Sequence, residues 1–311
     1  MKRIAVVGGA SPLGRRIVDR LRAHPAVEWV QGVETRPRHV SKPDATIEIV
    51  SLVPDHRPFI DFLARERVGT VIQCAVASDR SGESSHASEA DVITTMCLGA
   101  ATTHSGSGVR SWVLLSSSAI YPIESRSSLL QGEEQETRHE GDAAARSLVE
   151  AEDYARDVAL RNTHISVCIL RLQQLIGPGV RGPLAAMISQ SLVPTLLGFD
   201  PPIQFLHMED AASAAAFAAI HELPGVYNVA SSGMIHWHEA LRVSNRRAIP
   251  VLPMGTRFVE PILQKLKIPF VPAQLRNLLR FGHALDTRKL ERAGWRPSFD
   301  QRRCLSGLRP D

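Results

Sequence analysis

The stretch Lys2 to Gly14, reading KRIAVVGGASPLG, constrains the fold more than any other. Ile4 to Val7 is a short apolar run without polar alternation, the pattern of a strand buried on both faces of a parallel sheet. It runs into Gly8, Gly9, Ser11 and Gly14 and then into RRIVDRLRAH, where Ile17, Val18 and Leu21 recur at helical spacing. Strand, glycine turn and helix in that order aim backbone N–H groups and a helix N-terminus at an anion. Alone, such a turn is also compatible with an ordinary strand-to-helix connection.

The next strand resolves that choice. Val27 to Val33 reads as the second strand and ends at Glu34, 20 residues beyond Gly14. A carboxylate at that spacing suits the hydroxyls of an adenosine ribose, so the pair predicts a dinucleotide site. It repels a 2′-phosphate, which favours NAD, while Arg36 leaves NADP open.

Strand-like and helix-like segments then alternate. A weaker third strand is expected over Ala45–Val53, a helix over Pro58–Glu66 and a fourth strand over Thr70–Ala77. Asp79–Glu89 reads as a Ser- and Gly-rich loop. A helix over Glu89–Thr103, a strand over Ser111–Leu115, a helix over Gly141–Arg161 and a strand over Ile165–Leu172 follow. This alternation predicts an α/β fold with a doubly wound parallel sheet. Beyond it the texture changes: a loop over Gly177–Pro183, a strand over Pro201–His207, an Ala-rich helix over Glu209–Glu222 and a strand over Gly225–Ala230. The remainder, punctuated by Pro and Arg, is expected to build a small cap.

Composition narrows the function classes. The 311 residues are 44% hydrophobic and 22% charged, with a net charge of +4 and no basic run, so no nucleic-acid partner is expected. No apolar stretch is long enough to span a bilayer. The N-terminus enters a strand directly, so no signal peptide is expected. Cys74, Cys97, Cys168 and Cys304 lie far apart without metal-ligand spacing, which predicts free thiols in a reducing cytosol and no metal.

Several motifs, in order, resemble those of the extended short-chain dehydrogenase/reductase superfamily, specifically its NAD-dependent epimerase/dehydratase family. GGASPLG is similar to the family's glycine turn, with Ser11 where the middle glycine stands, followed by Pro12, Leu13 and Gly14. QCAV (Gln73–Val76), with Ala75 and Val76, resembles the cofactor-lining segment. Asp91-Val-Ile-Thr-Thr95 resembles N-V-x-G-T, and VLLSSSAIYP the serine strand end in which Ser117 matches the active-site Ser/Thr. LRLQQLIGPG, FLHMEDAASA, Asp286-Thr-Arg-Lys-Leu and Gly294-Trp-Arg-Pro resemble the later signatures. The resemblance implies a Rossmann-type doubly wound sheet with a small C-terminal substrate-cap subdomain. The dinucleotide-binding domain would span 1–172 with return elements near 203–230, and the cap mainly 173–311. It also implies a homodimer built on the helices near 89–103 and 141–161.

The family's chemistry uses a tyrosine and a lysine one helical turn apart on one helix face. Four residues after Tyr121, Tyr154 and Tyr227 stand Ser125, Val158 and Ser231, and no lysine occurs between Lys42 and Lys265. Matching AAARSLVEAE to Y-x-x-S-K-x-x-x-E puts Ala144 at the tyrosine and Leu148 at the lysine, while Ser147 and Glu152 keep their places. The turn departs too: a Cβ at Ser11 crowds a pyrophosphate, and Pro12 lacks an N–H. Ser51 stands where the family often has an Asp near the adenine.

The expectation is therefore an NAD(P)-binding protein without standard Tyr/Lys hydride transfer, a cofactor-sensing or regulatory pseudoenzyme with a small-molecule or protein partner. The alternative is an atypical oxidoreductase, epimerase or dehydratase using Ser117, with His139 or Tyr154 moving the proton. A third reading places lyase or isomerase chemistry on His207 and Glu209. Tyr154 lies ten residues beyond Ala144, about 15 Å along a helix axis, so it does not simply replace the tyrosine. Tyr121 is expected to be structural, Arg138 and His139 to lie in a solvated loop, and Arg146 to supply charge only. His207 is expected to pack at the sheet edge with Asp210 capping the Ala-rich helix, and His236 and His238 to be surface residues.

Overall fold

The computed structural model describes residues 1–35, 47–50, 52, 56–74, 85–135, 137, 143–180, 182–252 and 271–307. The N-terminal half supplies β1 (Lys2–Val7), β2 (Val27–Glu34), β3 (Ile47–Ile49), β4 (Thr70–Gln73), β5 (Ser111–Ser117) and the short β6 (Leu130–Gln131). It continues with β7 (Ser166–Leu172), β8 (Leu175–Ile176), β9 (Leu192–Leu196), β10 (Pro202–Ile203), β11 (Leu206–His207) and β12 (Gly225–Val229). Seven of these form one parallel sheet in the order β12-β7-β5-β4-β1-β2-β3. The chain order reverses at β1, which opens a crevice beyond the carboxyl ends of β1 and β4.

Both faces of the sheet are buried, as its continuous apolar strands require. Ile4 and Val6 face one layer, with α1 (Pro12–Arg22), while Ala5 and Val7 face the other, with α2 (Arg57–Arg65). The second layer is completed by α3 (Ser85–Thr103) and α4 (Ala143–Arg161). After α5 (Pro183–Ile188), α6 (Met208–His221) returns to pack beside α1. Ala211, Ala212, Ala214, Ala215, Ala216, Ala218 and Ala219 are all buried, so α6 is enclosed nearly all round. Small side chains allow that close approach.

A separate apolar core joins α5, β9 and Phe205 to α7 (Trp237–Val243) and to the helix Ala273–Phe281. Two local pairings frame it, β10 with Ile235–His236 and β9 with Arg247–Val251. Among the described residues no helix is long and apolar enough to cross a membrane.

Two expectations change. The helix expected from Glu89 begins at Ser85, so part of the anticipated loop is helical. Pro201–His207 is two strands, because Gln204 and Phe205 leave the pairing with Ile235–His236 before Leu206 joins β8. The strand at Gly225–Val229, within the span expected to return to the dinucleotide-binding domain, joins the main sheet alongside β7. The C-terminal part of the expected fourth strand, from Ala75 on, lies outside the described residues.

Candidate functional site

The glycine turn is built by close backbone approach. Gly8 takes φ 82°, and the N–H groups of Gly8 and Gly9 both donate to Val33 O, fastening the turn to the end of β2. A Cβ on Gly9 would lie 2.5 Å from Gly32 Cα, and one on Gly14 would lie 2.8 Å from Gly9 Cα and closer still to Gly8 O. Side chains are excluded at both places.

Ser11 takes the N-cap of α1. Its hydroxyl accepts from Gly14 N–H at 3.0 Å and donates to Gly8 O at 2.8 Å. The cap satisfies a first-turn amide that would otherwise face a ligand. Pro12 has no N–H, and Arg15 N–H donates to Ser11 O. In the first turn this leaves Leu13 N–H, among the described residues, for an incoming anion. The helix dipole still points its positive end there.

Glu34 closes β2, is 7% exposed, and accepts from Thr35 N–H through Oε1. At the end of β4, Gln73 is buried and its Nε2 donates to the Thr95 hydroxyl at 2.8 Å. Burial pushes the neighbouring Cys74 thiol up, with the Glu34 charge adding to it. Arg36, Ser51, Ala75, Val76, Arg138 and His139 lie outside the described residues.

At the other end of the crevice, Ser117 closes β5 half-buried, and its hydroxyl accepts from Ala119 N–H at 3.2 Å. Ala144 stands in the first turn of α4. Leu148, one turn later, is 7% exposed and adds no charge. Val149 packs beside Ile120 and Tyr121, so this part of α4 lies against the turn that follows Ser117.

Beneath these positions runs a buried ionic network. Ser116 Oγ donates to Glu152 Oε1 at 2.6 Å, and Arg171 Nη2 donates to Glu152 Oε2 at 2.7 Å. Arg171 and Glu152 are 1% and 0% exposed in their side chains. Arg171 also donates to the Tyr121 hydroxyl, which in turn donates to Asn228 Oδ1. Burial pushes the Tyr121 phenol up against the opposing pull of Arg171. Tyr121 thus tethers β5 to β7 and β12.

A second buried cluster joins the cap to this seam. Ser118 Oγ donates to Gln173 Oε1 at 2.7 Å, and Gln173 Nε2 meets His283 Nδ1 at 3.1 Å. The amide donating there leaves His283 protonated on Nε2, which is buried without a partner. Burial lowers His283 to about 4 from 6.5. The fold thus favours the neutral ring, and the unfolded chain binds the extra proton. That stabilisation is fully present above pH 6.5 and is lost as the pH falls through about 4. Acid denaturation curves should show a loss of roughly 3 kcal/mol over this window, absent in His283→Gln.

The remaining sequence candidates occupy other settings. Tyr154 rests against Gly99 of α3 and donates its hydroxyl to Met96 O at 3.0 Å, which fixes α3 to α4. Arg146 is exposed. The cap of α6 is His207, whose Nδ1 accepts from Glu209 N–H while its ring stacks on Phe299 at 3.8 Å. Asp210, expected as the cap, instead accepts from Ser298 N–H, Phe299 N–H and the Ser231 hydroxyl. It holds the C-terminal loop. His236 and His238 both lie beside Asp200, and among the described residues no group of three or more His, Cys, Asp or Glu side chains is arranged for a metal.

The sequence reading missed the Glu152–Arg171 bridge and the role of His283. Partners 19 and 110 residues apart leave no local spacing signal. Arg171, a charged residue inside the apolar strand run Ser166–Leu172, was the available clue to the bridge.

The pattern of the NAD dependent epimerase/dehydratase family matches residues 4–230. The chain belongs to that family. Uncharacterized proteins of Mycobacterium tuberculosis and Mycobacterium bovis are 28% identical over 305 residues, 96% of this chain and 81% of theirs. The UDP-Glc/GlcNAc 4-epimerase of Campylobacter jejuni superposes with a TM-score of 0.74 at 16% identity, covering 99% of this chain and 98% of that one. The dTDP-glucose 4,6-dehydratase of Bacillus anthracis, in complex with NAD, gives 0.72 at 15% identity, covering 99% and 95%. A human epimerase family protein with NADPH gives 0.71 at 18%, covering 98% of each chain. At these identities the solved structures establish a shared fold.

Proposed function

We propose that this chain binds NAD(H) in the crevice and works without Tyr/Lys hydride transfer, as a cofactor-responsive regulatory protein. The observation that carries this reading is Leu148, a buried aliphatic side chain one helical turn beyond Ala144, where the resemblance places lysine and tyrosine. Leucine neither carries charge nor hydrogen-bonds a ribose, and alanine has no proton to exchange.

The adenosine half fits a dinucleotide. Glu34 offers a carboxylate to ribose hydroxyls, and the turn from Gly8 to Gly14 brings Leu13 N–H and the α1 dipole to the pyrophosphate. The cofactor would supply redox chemistry when bound; the residues at the nicotinamide end supply orientation alone. Isothermal titration with NAD⁺, NADH, NADP⁺ and NADPH should show NAD(H) binding in the micromolar range, about −8 kcal/mol. Absence of heat with all four would refute the reading.

The exposure of Ser117 supports a second reading, an oxidoreductase, epimerase or dehydratase of a small or nucleotide-linked substrate. Its hydroxyl accepts from Ala119 N–H and keeps its own proton for a substrate oxygen. Nicotinamide-dependent turnover that disappears in Ser117→Ala would favour it. A homodimer through α3 and α4 is part of the proposal, supported by Ile93, Met96 and Leu160, which are 47%, 47% and 80% exposed on those helices. Four free cysteines support a cytoplasmic setting.

A further inference from the structure

The loop after β8, Gly177 to Val180, is wedged between two helix N-termini. Gly177 takes φ 137°, and a Cβ there would lie 3.4 Å from Met208 Cβ at the start of α6. Gly179 takes φ 84°, and a Cβ there would lie 3.6 Å from Pro12 Cβ at the start of α1. Val180 N–H donates to Gly177 O, closing the loop on itself.

Arg16, on the second turn of α1, ties these parts together. Its Nη2 donates to Pro178 O at 3.2 Å, its Nη1 to Pro12 O at 3.1 Å and its Nε to Glu209 Oε1 at 2.8 Å. All three arms of the guanidinium fork are engaged, which a lysine ammonium does not reproduce. Among the described residues Arg16 is the side chain that hydrogen-bonds the backbone of this loop. The loop thus packs on Pro12, in the turn that would receive the pyrophosphate.

We infer that Arg16 is a positioning residue that latches the Gly177–Val180 loop against Pro12, so that release of a bound dinucleotide requires the latch to open. The inference rests on the reading that this turn holds a dinucleotide. Internal capping by Ser11 and the missing N–H of Pro12 leave few backbone donors on α1. Retention of a ligand then depends on how the neighbouring loop is held. Glu209 holds the latch by charge, with Arg20 3.9 Å from its other oxygen.

The test uses the full chain with Arg16→Met, Arg16→Lys and Glu209→Gln. Hydrogen exchange in the ligand-free protein reads the latch itself, and stopped-flow release of NADH reads its consequence. Arg16→Met should speed exchange at Gly179 and Val180 and raise the NADH dissociation rate about threefold to tenfold, with an unchanged melting temperature. Glu209→Gln should show the same changes at smaller size, and Arg16→Lys should not restore wild-type release. Unchanged exchange in Arg16→Met overturns the latch. Faster exchange with unchanged NADH release overturns its role in retention. If the wild-type chain binds no dinucleotide, the functional reading fails and that role with it, while the exchange difference still reports the contact.

Discussion

Gly14→Ala is expected to destabilise the chain by about 3 kcal/mol and to abolish dinucleotide binding. Gly14 is buried in the first turn of α1, where an added Cβ would meet Gly9 Cα at 2.8 Å and press into Gly8 O. Both neighbours are backbone, so no side chain can rotate away. Relief requires moving α1 off β1, which opens the core around Leu13 and Ile17. Urea denaturation and NADH titration read the two effects. Gly132→Ala is the control: nothing lies within 4 Å of its added Cβ, so it should change stability by under about 0.5 kcal/mol. Equal costs at the two sites would show that general helix or loop effects, and not close approach, govern Gly14.

Arg171→Met is expected to cost about 3 kcal/mol, because it strands the buried Glu152 carboxylate with Ser116 and Arg156 as its remaining partners. The loss should propagate to Tyr121, whose hydroxyl accepts from Arg171, and to the β5 end that carries Ser117. Removing both charges in Arg171→Met/Glu152→Leu should recover most of the stability, since the desolvation cost disappears with them. A denaturant double-mutant cycle measures this coupling. Additive costs in the double variant would mean that the bridge is not a coupled unit.

Much of the sheet could be read from the chain because its signals are local. Ile4–Val7, Trp112–Leu115 and Val167–Leu170 are apolar without alternation, and the first runs straight into the turn at Gly8 and Gly9. The helix start at Ser85 was missed because Ser85-His-Ala-Ser carries polar side chains that also suit a loop. At Pro201–His207 the apolar run hid a change of pairing partner, which hydropathy does not register. The Gly225 strand was seen, but its neighbour was not, because strand order is decided by contacts across the sheet.

The candidate site divides the same way. By itself the sequence determined the glycine turn, Glu34 at its spacing, and the absence of any Tyr-x-x-x-Lys, since these depend only on residue identity and separation. Only the tertiary structure decided that Ser11 spends its hydroxyl on capping α1, that His207 caps α6 in place of Asp210, and that Tyr154 faces α3. A hydroxyl, imidazole or phenol has several partners within reach in an unfolded chain. Which one it takes is set by packing of distant segments, and the energy of each contact exists only once those segments meet.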